Sequence, residues 1–529
     1  LALAPRDEHG LVRFTSDLSI VAPVNPDLGN GSAIVELPNR GRRRLVPVLN
    51  LAPFDAPVTR EAHPGDGFLF NRGFTVVSIA WQWDVNRSDA MMGLDAPLAE
   101  VDGSPVSGEN MVEIRPGAPV DTWLLADRTH KPLPAAPGAQ IDAVLYVRDY
   151  EDGEDAIVER SRWQFARRDD SGALLADPNY IHLEGGFDPG RIYQVVYQCD
   201  HAPVAGTGLL AFRDVAPFLR AVREDNPTGG NCQAIHAWGV SQTGRLQRHF
   251  LGLGLNRCED GSTAYDGMQV HVAGARRGSF NHRFAQPSNQ TTPVWGHAFP
   301  YADSPITDAL TRRSEGLLDA LDGDGSVPKI VYTDTAAEYW RGDAALSHIH
   351  TDGTSDLPEH PSTRRYLFAS TQHVAGYPGQ SRANEAVNIV TRYPMNVIDY
   401  RPLLRAALVH LDAWVRKGLE PPPSMHPRVA DGTAVTRDEV LAYFSGLPGF
   451  VPPQADRLPF VRTVDMGGDE SAGIARFPAR EGDFYPALVS ALDADGNEVA
   501  GIRLPDVEVP IGSHAGWNPR DPAIGACEQ

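Results

Sequence analysis

Cysteine is scarce in this chain, with four residues, Cys199, Cys232, Cys258 and Cys527, among 529. That is too few for a disulfide scaffold, and no two stand at the paired spacing of a zinc site. Cys232 opens one apolar segment and Cys258 follows the helical one after it. Both are expected at the sheet end remote from the site developed below, as buried free thiols in preference to a bridge. No window approaches the ~18 consecutive apolar residues of a membrane helix. Basic charge is in deficit, 47 residues against 68 acidic ones for a net charge of −21, which argues against nucleic-acid or anionic-membrane partners and leaves solubility as the use of the charge. Only Lys131, Lys329 and Lys417 are lysines, a compositional bias that points to no site. Metal patterns fail as well. His348-x-His350 with His360 lacks carboxylate support, and Asp322-Gly-Asp324-Gly and Asp493-Ala-Asp495-Gly lack the remaining positions of a calcium loop. No cofactor or metal is expected, and there are no internal repeats or low-complexity tracts. With no membrane run the expectation is a soluble protein; a start at Leu1 without methionine is compatible with a removed signal peptide and leaves cytoplasmic and exported both open, with no statement on oligomeric state.

What is present is a serine in a telling place. Residues 236–250, His-Ala-Trp-Gly-Val-Ser-Gln-Thr-Gly-Arg-Leu-Gln-Arg-His-Phe, set Ser241 where a short apolar strand, Cys232–Trp238, gives way to an amphipathic helix, Gln242–Leu255. A serine hydroxyl needs a base and a tight, strained turn that holds its Oγ clear of the backbone, and Gly239 with the small residues after Ser241 leaves room for one. The usual Gly-x-Ser-x-Gly would place glycine at Thr243; here it arrives one residue later, at Gly244.

Around this point the chain reads as α/β, and its length exceeds what one hydrophobic core normally serves. Residues 32–39 and 73–83 read as neighbouring parallel strands, followed by a β-rich insertion over 84–190 in which Ile141–Arg148 and Arg162–Ala166 are extended. Residues 191–198 resume extended structure, and Gly206–Glu224 carries apolar residues at helical spacing. After the elbow come two apolar strands, Lys329–Thr333 and Tyr366–Ser370, and a helix over Pro402–Lys417. Beyond it the chain is irregular, with a hairpin expected at Asp495-Gly496. The division is 1–83 and 191–420 for the two parts of a main domain, 84–190 for the insertion, and 421–529 for a C-terminal extension packing near the active site.

The α/β-hydrolase order of Ser, then Asp or Glu, then His after late strands is met by Ser241, Glu338 and His373. Asp334 and Asp343 compete for the acid's place. His373 would take the serine proton and Glu338 would orient the imidazole. Oxyanion donors are expected from the Gln242 backbone and from the turn at Asn39-Arg40-Gly41 or the strand end at Trp81–Asp84. Arg245, one turn into the helix, either reaches the same space or forms a surface ion pair. Trp81, Trp83, Trp295, Trp340 and Trp517 stand near these positions along the chain and are candidate walls of an aromatic or sugar-accommodating pocket, with core packing the default for each.

The chain resembles the bacterial "alpha/beta hydrolase domain" proteins in Val35-Glu-Leu-Pro-Asn-Arg-Gly41, Gly208–Asp214, Gly239–Arg245, Asn281–Pro287, Glu338-Tyr-Trp340, Thr371-Gln-His373 and Ala500–Pro505. The resemblance implies an α/β-hydrolase fold, carboxylic ester hydrolysis and the same triad. The Ser, Glu, His order with an arginine just after the elbow is also similar to glucuronoyl esterases. A serine hydrolase acting on a small or medium ester or lactone is therefore expected, with an acyltransferase, a carbohydrate esterase or a glycan-binding protein as alternatives. The insertion and the tail are expected to fold over the triad and narrow its entrance.

Overall fold

The computed structural model describes residues 2–54, 62–289, 291–292, 294–384, 389–467 and 472–524. Seven strands form the central sheet: β1 (Leu18–Val21), β2 (Ser32–Glu36), β3 (Thr75–Ile79), β4 (Ala234–Val240), β5 (Gly267–His271), β6 (Lys329–Thr335) and β7 (Thr363–Phe368). Their order across the sheet is β1-β3-β2-β4-β5-β6-β7. β1 is antiparallel to β3, and every other pairing is parallel. The helices that matter here are α1 (Thr207–Arg220), α2 (Gln242–Gly252), α3 (Ala336–Trp340), α4 (Arg401–Lys417) and α5 (Arg437–Ser445).

Both faces of the sheet are covered, so its inner strands β2, β4 and β5 are buried almost throughout. Alternate residues part company. Ala33 and Val35 pack with α1 and α2 through Leu209, Phe212, Leu246 and Phe250, whereas Ile34 packs with α4 through Leu404, Leu408 and Leu411. The chain order reverses beside β2, so β2 and β4 flank the switch point, and the crevice at their carboxyl ends is where such sheets hold ligands.

Three elements differ from expectation. β5 carries the sequence Gly-Met-Gln-Val-His, too short and too polar to announce a strand, yet it lies fully buried between β4 and β6. Ile192–Cys199 does not return to the central sheet. It pairs antiparallel with Gly108–Ile114 and Val144–Arg148, so the β-rich region runs to Cys199. Helix α5 falls in the tail expected to be irregular; its signal was the capping pattern Thr436-x-x-Glu439, whose side chains bond each other. The hairpin at Asp495-Gly496 is present, with Leu492 bridging Glu498. Cys199 and Cys232 are buried and Cys258 is partly exposed; all three are free, and Cys527 lies outside the described residues.

Candidate active site

Ser241 sits between β4 and α2 with φ 56° and ψ −111°, a left-handed conformation that a serine adopts only where its surroundings enforce it. They do so locally. The Ser241 N–H donates to the His271 carbonyl at the end of β5 (2.9 Å), and its own carbonyl accepts from the Arg245 N–H (2.9 Å). A Cβ on Gly239 would stand 2.6 Å from the Thr243 carbonyl oxygen, and one on Gly244 would stand 2.9 Å from that of His271. Thr243, in the place of the missing glycine, turns its hydroxyl back on the elbow: Oγ1 accepts from the Val240 N–H (2.9 Å) and donates to the Val240 carbonyl (3.1 Å). The departure from the motif thus adds a brace to the turn.

Ser241 Oγ lies 2.9 Å from His373 Nε2, and His373 Nδ1 lies 2.5 Å from Glu338 Oε1. The structure brings together all three residues of the expected triad. Glu338 is the third residue of α3, and the capping pattern Thr335-x-x-Glu338 fixes its rotamer: Oε2 accepts from the Thr335 N–H (2.9 Å) and hydroxyl (2.6 Å), leaving Oε1 for the histidine. Burial raises its pKa, but His373, Arg341 and the Thr335 hydroxyl outweigh that and hold the carboxyl well below its usual range. Asp334 cannot compete. It accepts from the Gly274 N–H (2.9 Å), and burial together with the Glu338 charge pushes it up to about 7. Asp343 is held by Arg341 and the Ala275 N–H.

The remaining candidates are distributed differently. As the first residue of α2, Gln242 has a backbone N–H with no acceptor inside the helix. Its side chain accepts from the Arg40 N–H (3.1 Å) and donates to the Pro287 carbonyl (2.7 Å). Asn39 to Arg42 make a two-residue turn with positive φ at Arg40 and Gly41, the geometry of a type I′ turn. Asn39 Nδ2 donates to the Val240 carbonyl (3.0 Å) and the Arg40 guanidinium pairs with Asp127 (2.8 Å), so both side chains brace the crevice and neither is free for substrate. Trp81 and Trp340 are not pocket walls. Trp81 is 3% exposed, donates to the Pro38 carbonyl and meets Phe280 edge to face. Trp340 packs against Trp517 in a separate core cluster.

The Arg245 side chain makes neither the surface ion pair nor a hydrogen bond among the described residues. It lines a cavity of about 90 Å³ together with Arg276, Arg277, His282, Gln286 and His297. Residues of the segment 276–297 supply most of this wall; it contains Asn281–Pro287, which marked the family resemblance but carried no role in the sequence reading. Asn110 and Met111 of the β-rich region close another side. No group of three or more metal-ligating side chains occurs among the described residues, and none of their helices is long and apolar enough to cross a membrane.

The C-terminal extension packs behind the site. The Ser370 N–H donates to Glu498 Oε2 (2.6 Å), Ala369 and Leu367 exchange backbone bonds with Ile502, and Gly516 fits against Ala336 so closely that a Cβ would stand 2.5 Å from its backbone. These contacts hold the loop before His373 and the start of α3. The expected role as a cover over the triad finds no such contact in its favour.

A mostly parallel α/β sheet with a serine, histidine and glutamate chain at its switch point defines a hydrolase class. The model of the alpha/beta hydrolase domain family matches residues 173–529, and the chain belongs to that family; it is a hydrolase. No curated protein and no solved structure matches it.

Proposed function

We propose that the chain is a serine hydrolase of carboxylic esters, acting on a small or medium ester or lactone through an acyl-enzyme. The observation that carries this is the continuous hydrogen-bonded chain from Ser241 Oγ through His373 to Glu338. Ser241 after the central strand, the acid after β6 and the histidine after β7 follow the α/β-hydrolase arrangement. In the reaction Ser241 Oγ attacks the carbonyl carbon as its proton passes to His373 Nε2; the tetrahedral intermediate collapses, and the same proton leaves on the alcohol. Water then repeats the sequence on the acyl-enzyme. Glu338, ionised and 1% exposed at its side chain, stabilises the imidazolium and fixes its orientation. The Gln242 N–H is one donor to the oxyanion. The Arg40 N–H, held by Gln242 Oε1 in the resting protein, is the second once that side chain yields it.

Ser241→Ala tests the reading. Release of 4-nitrophenol from short acyl esters should fall by at least about 10⁴-fold with folding intact. Turnover equal to the parent protein would reject it.

A further inference from the structure

The positive charge around Arg245 exceeds what the protein neutralises. The Asp343 charge favours the cationic forms of Arg245, Arg276 and Arg341, but its oxygens are already engaged: Arg341 Nε at 2.5 Å and Nη2 at 3.0 Å, the Ala275 N–H at 3.0 Å and Arg276 Nε at 3.3 Å; Glu151, which also acts on Arg276, is paired with Arg115 at 2.6 Å. Glu338, 3.8 Å from Arg341, is committed to His373. Arg245 therefore faces the cavity with no carboxylate of its own. Burial first, and then the charges of Arg341, Arg276 and Arg40, disfavour its cationic form, a penalty that a bound anion would remove. Two neighbours add polar atoms of the right kind. His282 Nδ1 and His297 Nε2 line or border the same cavity without a hydrogen-bond partner among the described residues, and burial keeps both rings neutral, pushing them down to about 4 and about 3. A neutral imidazole can donate one N–H to an oxyanion at no cost in charge.

Resting on the esterase reading above, we propose that this cavity is an anion subsite, with Arg245 and Arg276 receiving a carboxylate carried on the acyl part of the substrate, so that the substrate class is an ester or lactone of a dicarboxylic acid. The arginine fork matches a carboxylate in two parallel hydrogen bonds. Arg245 stands four residues after Ser241, and its backbone N–H donates to the Ser241 carbonyl (2.9 Å), so nucleophile and arginine share the first turn of α2. The volume of about 90 Å³ suits a carboxylate on a short carbon chain.

The test compares 4-nitrophenyl hemiglutarate with 4-nitrophenyl pentanoate, equal in acyl length and different only in the terminal charge. The parent protein should favour the charged ester by about ten- to hundredfold in kcat/KM, Arg245→Met and Arg276→Met should each remove most of that preference, and Arg245→Lys should keep part of it. Calorimetric titration of glutarate, pentanoate and inorganic phosphate into the full-length Ser241→Ala protein reads the subsite without turnover. Glutarate binding that disappears in Ser241→Ala/Arg245→Met supports the subsite, even where no ester is cleaved and the esterase reading has failed. Equal turnover of both esters with no glutarate binding overturns the subsite and leaves the esterase standing. Binding of phosphate in preference to glutarate overturns the assignment to a carboxylate. Circular dichroism on each variant separates loss of binding from loss of fold.

Discussion

The two ends of the proton relay are built in different ways. At the serine end every restraint is close in sequence or lies on the next strand: the Thr243 hydroxyl, Gly239, Gly244 and the His271 carbonyl. At the histidine end the side chain is 37% exposed and its loop is tied from far along the chain. Tyr400 Oη donates to the His373 carbonyl (2.8 Å), Asn396 Nδ2 donates to the Ser370 carbonyl (2.6 Å), and Glu498 holds the Ser370 N–H. The nucleophile needs one strained conformation, which a short segment can enforce. The base needs a position relative to two other elements, which only tertiary contacts can give. The C-terminal extension is thus part of the histidine's scaffold.

Glu338→Gln attacks that scaffold at its centre and carries the largest expected effect, a loss of about 10³- to 10⁴-fold in kcat/KM for short esters. Asp334→Asn, by contrast, should cost less than about tenfold, and the reverse ranking in steady-state kinetics would move the acid's role to Asp334. Next comes the remote support. Trp517 packs on Trp340, Phe444 and Phe450, so Trp517→Ala should destabilise by about 3–5 kcal/mol in urea unfolding. A change below about 1 kcal/mol would show that the tail is not a scaffold. Thr243→Val then probes the serine end. It leaves the Val240 N–H without its partner, at about 1–3 kcal/mol, and should slow acylation more than it changes KM.

The last effect is on stability alone, a pH dependence at the histidine end. Burial, partly offset by the Ser370 N–H, raises the Glu498 carboxyl from 4.5 to about 8. Between those values the folded protein holds a proton that the unfolded chain releases, so the contribution of Glu498 to stability is complete below about pH 4.5 and is lost as pH rises toward 8. Glu498→Gln has no proton to lose. Its Tm should gain on the parent's as the pH is raised from 5 to 9, and a constant difference across that range would contradict the assignment.

This contrast also governs what the sequence made legible. Ser241 could be read from a dozen neighbouring residues, because strand, turn and helix follow one another and the glycines mark the close approaches. Glu338 and His373 could be read from their place after apolar strands, and the capping pattern Thr335-x-x-Glu338 is a local signal for the acid that sits beside the chemistry. Ile192–Cys199 could not be assigned to its sheet, since alternation shows that a segment is extended and not which partner it will bond. Strand β5 stayed hidden because Gln269 and His271 are polar yet held inside by tertiary partners: Gln269 Nε2 donates to the Leu404 carbonyl and His271 Nδ1 meets Thr333. Trp81 and Trp340 were close to the site along the chain and turned out to serve the core. Arg245 showed the opposite case, where nothing in its own segment indicates that the neighbouring carboxylates are taken.

The most direct test of the account is to trap the acyl-enzyme. A fluorophosphonate or a slowly hydrolysed 4-nitrophenyl ester incubated with the intact protein should give one covalent adduct per chain, and peptide mass spectrometry should place it on Ser241, with labelling slowed steeply in Glu338→Gln and absent in Ser241→Ala. An adduct on another residue, or equal labelling of Ser241→Ala, would contradict the claim that the Ser241, His373 and Glu338 chain is the catalytic centre.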